Sequence, residues 1–217
     1  MTDSFVLRLG SEQSAHVISG ADQYLRAYQS GEDRGHLYLD YQAGTPRDKI
    51  VSEDLTLTLM VGSVGWRAFR SVKERGEIEI GPLPQKALEE TSAEERRQVA
   101  AQIGELVQLR GFSVTLASRV LHKKRPALIP ILDERAIFGA YMNPRWPQEA
   151  ATSERVKSEG LIGKALDWIA FDLNRPENVA VWNELQAMAR ERSRIQIFES
   201  VWWMYFQEHN PKKEQSS

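Results

Sequence analysis

Residues 111–141 read GFSVTLASRVLHKKRPALIPILDERAIFGAY, and this stretch decides the fold class. Gly111 lets the chain turn tightly. Residues 113–123 then place Val114, Ala117 and Leu121 on one stripe, which predicts a short helix. Its basic end, Lys123, Lys124 and Arg125, suits the negative end of the helix dipole. Pro126 and Pro130 hold the next link extended. Asp133 stands at the mouth of a new apolar run and predicts an N-cap for a helix reaching about Tyr141. Helix, turn, helix, stiff link and capped helix together describe an α-helical core.

Working outward, the helical signal dominates. Ser92 and Glu95 spell a capping box ahead of Val99, Ile103, Leu106 and Val107, which predicts a helix ending near Arg110. Beyond the proline loop with Pro144 and Pro147, helices are expected over 153–173, 177–192 and 194–208, the first two separated by Asn174-Arg-Pro176. The last is apolar around most of its circumference, which predicts a central position. Upstream, residues 12–30 carry Val17, Ile18, Tyr24, Leu25 and Tyr28 at helical spacing, residues 36–44 read as a short extended piece, and residues 64–74 as a helix. Residues 50–61 alternate like a strand at Leu55, Leu57 and Leu59, yet Ser52-Glu53-Asp54 caps a helix, and the cap decides. Any strand at 77–80 is brief. The expectation is a mainly α protein: one helical domain over 1–210 with minor extended pieces near its N-terminus, and a disordered polar tail over 211–217.

Composition narrows the chemistry. The chain has 217 residues, a net charge of −2 and no cysteine, which excludes disulfides, thiolate metal sites, iron–sulfur clusters and a cysteine nucleophile. No apolar run reaches the length of a signal peptide or membrane span, so a cytoplasmic protein is expected. The four histidines show no metal-ligand spacing, and no phosphate-binding glycine loop or G-x-S-x-G elbow is present. Neither a metal nor a cofactor is expected. Asp40, Asp48, Glu53 and Asp54 could pair as carboxylates, but Glu53 and Asp54 read more simply as first-turn helix acids. Any nucleic-acid site must be a local basic patch.

Three groups of residues are candidates for such a site. The turn at Gly111, Ser113 and Thr115 precedes a helix whose free amides suit a phosphate. Lys123, Lys124 and Arg125 could hold a strand, or simply form a solvated helix end. Asp133 is either a plain cap or a carboxylate kept ionised by the dipole, able to stabilise a developing cation or activate a water. Tyr141 and Trp146, beside the proline loop, are the aromatics best placed to stack a base, whereas Trp202, Trp203, Tyr205 and Phe206 read as core.

The pattern from Gly111 to Asp133 resembles the core of the helix-hairpin-helix DNA glycosylase superfamily. The resemblance implies a DNA partner and a catalytic role for Asp133. In that superfamily the position of Thr115 carries a lysine in members that also act as lyases, so the resemblance implies at most a monofunctional excision here. Ser113 stands where the second hairpin glycine would be, and Arg135 where histidine is common. Over more of the chain, Ile50-Val-Ser-Glu-Asp-Leu55, Leu121-His-Lys-Lys-Arg-Pro-Ala-Leu-Ile-Pro-Ile-Leu-Asp133 and the last helix are similar to a bacterial family of uncharacterised proteins. The two functional expectations are a DNA-binding protein capable of base excision, and a noncatalytic interaction or regulatory module on the same fold.

Overall fold

The computed structural model describes residues 5–10, 16–31, 44–60, 66–153 and 155–210. Strands β1 (Val6–Leu9) and β2 (His16–Ser19) pair antiparallel with Leu7 opposite Ile18. Alternate residues are buried, as a ribbon with one covered face requires. The helical reading of residues 12–30 is thereby corrected: Val17 and Ile18 belong to β2, and α1 (Ala21–Gln29) begins only after Gly20, at φ 72°. Two adjacent apolar residues fit either period, and pairing with a distant strand decides between them.

Two short strands, β3 (Lys49–Ile50) and β4 (Ile78–Glu79), pair antiparallel and bracket helices α2 (Ser52–Met60) and α3 (Trp66–Arg75). Residues 52–60 of the ambiguous stretch are therefore helical, with the Asp54 carboxylate accepting the Val51 N–H at 2.8 Å in the first turn, while Ile50 belongs to β3. The extended piece expected at 36–44, Asp40 included, and the tail at 211–217 lie outside the described residues, apart from Gly44.

Helix α4 (Ala93–Val107) carries the expected capping box: Ser92 Oγ accepts the Glu95 N–H, and the Glu95 carboxylate accepts the Ser92 N–H at 2.7 Å. It packs against α5 (Val114–Lys124) and α7 (Glu159–Asn174). Between them α6 (Glu134–Tyr141) is wound as a π-helix, with the Met142 N–H donating to Ile137 O at 2.9 Å. Helix α7 starts later than its periodicity suggests: Ser158 is its cap, accepting the Leu161 N–H, and Thr152 lies against Gly139 of α6. A Cβ on Gly139 would stand 2.0 Å from Thr152 O, so this contact is backbone to backbone. Helix α8 (Pro176–Met188) starts on its proline and stops short of 192. Helix α9 (Arg194–His209) buries Ile195, Phe198, Val201 and Trp202 and packs on α1, α6 and α8, the central place its composition predicts.

A buried polar knot ties the first hairpin to the C-terminal helices. Asn178 donates to Arg8 O at 2.8 Å and accepts the Arg8 N–H at 2.9 Å, filling the place of a further strand beside β1. Asp172, fully buried, accepts from Gly10 N–H at 2.6 Å, Tyr141 O–H at 2.7 Å and Arg175 at 3.2 Å. Three donors satisfy a charge that would otherwise be costly there. Burial nonetheless raises the Asp172 pKa above the ordinary carboxylate value. Among the described residues no helix is long and apolar enough to cross a membrane.

Candidate functional site

Asp133 caps α6 as its position predicts. Its Oδ1 accepts the N–H groups of Arg135 at 3.0 Å and Ala136 at 2.9 Å, and its Oδ2 lies 3.9 Å from Arg119 Nη2. The carboxylate is half-buried in the wall of an open depression of about 460 Å³, whose lining includes Thr115, Arg119, Glu134, Arg135, Ser153 and Trp203. Beside it, burial raises the Glu134 pKa, opposed by the Val156 amide and reinforced by the charge on Asp133.

The link between α5 and α6 is fixed by hydroxyls. Thr115 Oγ1 donates to Leu132 O at 3.3 Å and accepts the Glu134 N–H at 3.1 Å, while Ser118 Oγ accepts the Leu132 N–H at 2.9 Å. Thr115 thus joins the hairpin helix to the cap residue's neighbours. Ser113 caps α5 by accepting the Leu116 N–H. Gly111, at φ 93°, sits beneath α3: a Cβ there would lie 2.4 Å from Ala68 N and 2.7 Å from Arg67 C. The glycine therefore serves a close helix crossing as well as a turn.

That crossing places Arg67 over the hairpin. A second depression, of about 590 Å³, is lined by Arg67, Arg110, Gly111, Ser113, Glu134, Ser153, Arg155 and Lys157. It shares Ser113, Glu134 and Ser153 with the first, so the two are continuous. Arg67, Arg110, Arg155 and Lys157 come from separate places in the sequence and form no basic run. Nothing in their spacing could reveal the cluster.

The basic triplet is divided. Lys124 is buried and donates to Thr45 Oγ1 at 2.8 Å, Pro46 O at 2.7 Å and Asp54 Oδ1 at 2.8 Å. All three ammonium hydrogens are engaged, so Lys124 has none for a phosphate, which corrects its assignment to nucleic-acid binding. Asp54, read as a plain first-turn acid, is its buried counter-ion. Lys123 and Arg125 line a separate depression at the far end of α5, with Arg47 and Lys86. Tyr141 and Trp146 also depart from expectation. They are 0% and 2% exposed, packed against Trp202, and the Tyr141 hydroxyl is held by Asp172. Neither ring offers a face to a base. Among the described residues, no three histidines or acids gather as a metal would require.

Behind the site, His122 and Glu199 form a buried pair that the sequence does not announce. His122 Nδ1 bonds Ile129 O at 2.7 Å, and Glu199 Oε1, which accepts the Ile131 N–H, lies 3.6 Å away. Burial pushes the Glu199 carboxyl up to about 8, against the pull of Lys123 and Arg119, and pushes His122 down to about 4. A carboxyl with a raised folded pKa binds more protons folded than unfolded, so its stabilisation is lost as pH rises. The depressed histidine acts in the opposite sense between about pH 4 and 6.5 and offsets Glu199 there. Between pH 6.5 and 8 Glu199 acts alone. Stability is expected to fall there by up to about 1.4 kcal/mol per pH unit, and Glu199→Gln should flatten the slope in urea titrations at several pH values.

A family of unknown function (DUF6308) matches residues 18–206, nearly the whole described fold. The chain belongs to that family. No curated protein and no solved structure gives a significant match. The DUF6308 match includes every residue that lines the second depression and all but Gln207 and Asn210 of those that line the first.

Proposed function

We propose that this DUF6308 protein binds duplex DNA across the turn at Gly111, with Asp133 as the carboxylate of a monofunctional base excision. The observation that supports this is the continuous pair of depressions that gathers Arg67, Arg110, Arg119, Arg135, Arg155 and Lys157 around Asp133, on a chain of net charge −2. Such local concentration against the global charge suits a polyanion, and arginine suits phosphate oxygens. The Asp133 carboxylate would stabilise positive charge on the sugar as the bond from C1′ to the base nitrogen breaks, and orient a water whose oxygen takes the base's place at C1′. The departing base keeps the bonding pair and acquires a proton from solvent, while the attacking water passes one proton to the Asp133 carboxylate and from there to solvent. No lysine stands at Thr115, whose hydroxyl is engaged in the link, so no Schiff base enters the scheme.

Duplexes carrying modified bases, scored for abasic sites, test the proposal. Asp133→Asn should lower product by about a hundredfold or more. It keeps an acceptor for the Arg135 and Ala136 amides, so it should cost less than about 1 kcal/mol of stability. Equal product from the two proteins removes Asp133 from catalysis. In a binding titration, Arg110→Ala with Arg155→Ala should flatten the salt dependence by about 0.9 for each phosphate no longer neutralised. An unchanged slope would move the DNA elsewhere.

One observation favours the noncatalytic reading: Asp133 Oδ1 and the Thr115 hydroxyl are both fully accounted for by structural hydrogen bonds. On that reading no duplex yields product, and Asp133→Ala costs the roughly 1 kcal/mol of a missing cap.

A further inference from the structure

The basic path does not end at the Gly111 turn. Arg67 and Arg110 also line a further depression, of about 510 Å³, together with Trp66, Arg70, Glu74 and Arg75. Four arginines face one carboxylate there, and none of the four forms an ion pair among the described residues. At its edge Trp66 is 71% exposed. Tryptophan is among the residues most buried on average, and an exposed one beside cations is the composition of a recognition surface rather than of a solvated helix face. Phe69 meets the Trp66 ring near-perpendicular, with centroids 5.9 Å apart and 81° between planes, and so fixes the indole without stacking on it.

We infer that this depression binds single-stranded nucleic acid, with one unpaired base stacked on Trp66 and the adjoining phosphates on Arg67, Arg70, Arg75 and Arg110. A flat aromatic set among arginines is what a flexible strand requires, because every base has a π-face and successive phosphates lie within reach of the same groove. A duplex hides those faces, so Trp66 contributes little to duplex binding. The inference adds an unpaired strand to the polyanion reading above, and shares with it only Arg67 and Arg110.

The full chain is titrated with a fluorescein-labelled twenty-nucleotide oligothymidylate and, separately, with a twenty-base-pair duplex, at several salt concentrations. Trp66→Ala should weaken oligothymidylate binding about 5- to 150-fold, the effect of one base left unstacked. Duplex affinity should change less than about twofold by the same argument. Trp66→Phe should retain most of the affinity, and Arg70→Ala with Arg75→Ala should reduce the single-strand salt slope by about 0.7 for each phosphate no longer neutralised. Both tryptophan variants alter an exposed side chain, and a thermal melt confirms that they remain folded. Unchanged oligothymidylate affinity in Trp66→Ala overturns the inference. So does equal competition by polyglutamate or inorganic polyphosphate, which would mark a general anion surface. Duplex binding without oligothymidylate binding refutes this inference and leaves the previous one standing; the reverse result does the opposite.

Discussion

Replacing Lys124 with methionine should lower the stability of the fold by about 3–5 kcal/mol, a displacement of the urea midpoint large enough to read without extrapolation. The magnitude follows from what remains behind. Asp54 is 3% exposed, and without Lys124 its carboxylate keeps, among the described residues, the Val51 N–H and the Thr45 hydroxyl as donors. A buried charge with two neutral donors is far from compensated. Adding Asp54→Asn to Lys124→Met should recover the larger part of the loss, because the amide needs no counter-charge and still accepts the Val51 N–H. If the double variant were no better than the single one, the cost would lie in the packing of the lysine stem and not in the charge.

Gly111→Ala should cost about 2–6 kcal/mol, combining strain at positive φ with overpacking. The added methyl meets backbone atoms of Arg67 and Ala68, which cannot swing aside as a side chain would. Gly76 supplies the control. Its φ is 82°, and a Cβ there meets nothing within 4 Å, so Gly76→Ala bears the conformational strain alone. The difference between the two substitutions measures the helix crossing. Because that crossing places Arg67, Gly111→Ala should also weaken nucleic-acid binding at temperatures where the protein is still folded.

These two expectations show where the sequence is legible. Caps and punctuation act within a few residues, so Ser92 with Glu95, Ser113 and Asp133 can be read directly, and so can the turn at Gly111. The choice of helix over strand at 52–60 succeeds for the same reason. The helical reading of residues 12–30 fails because the partner of β2 is another strand, and local periodicity carries no information about pairing. Side-chain roles that depend on distant partners are equally hidden. Lys124 reads as one member of a basic run, yet Thr45, Pro46 and Asp54 surround it from far upstream. Tyr141 and Trp146 read as accessible beside a proline loop, yet α9 covers them. For the site, the sequence supplies the carboxylate but not its setting, since Arg67 reaches the site from α3 over the Gly111 turn, Arg119 from α5, Arg135 from α6 and Arg155 from the segment before α7.

Asn178 and Asp172 carry a consequence for biosynthesis. The first hairpin obtains its covering hydrogen bonds from α7 and α8, across separations of 170 and 162 residues, and α1 lies on α9. A ribosome emits Leu7, Leu9, Ile18 and Leu25 long before the helices that shelter them. Until then those residues are exposed hydrophobic surface on a nascent chain, the kind of surface that chaperones hold and that aggregates when they do not. Helices made later in synthesis are thus the ones that release β1 and β2 from that hazard.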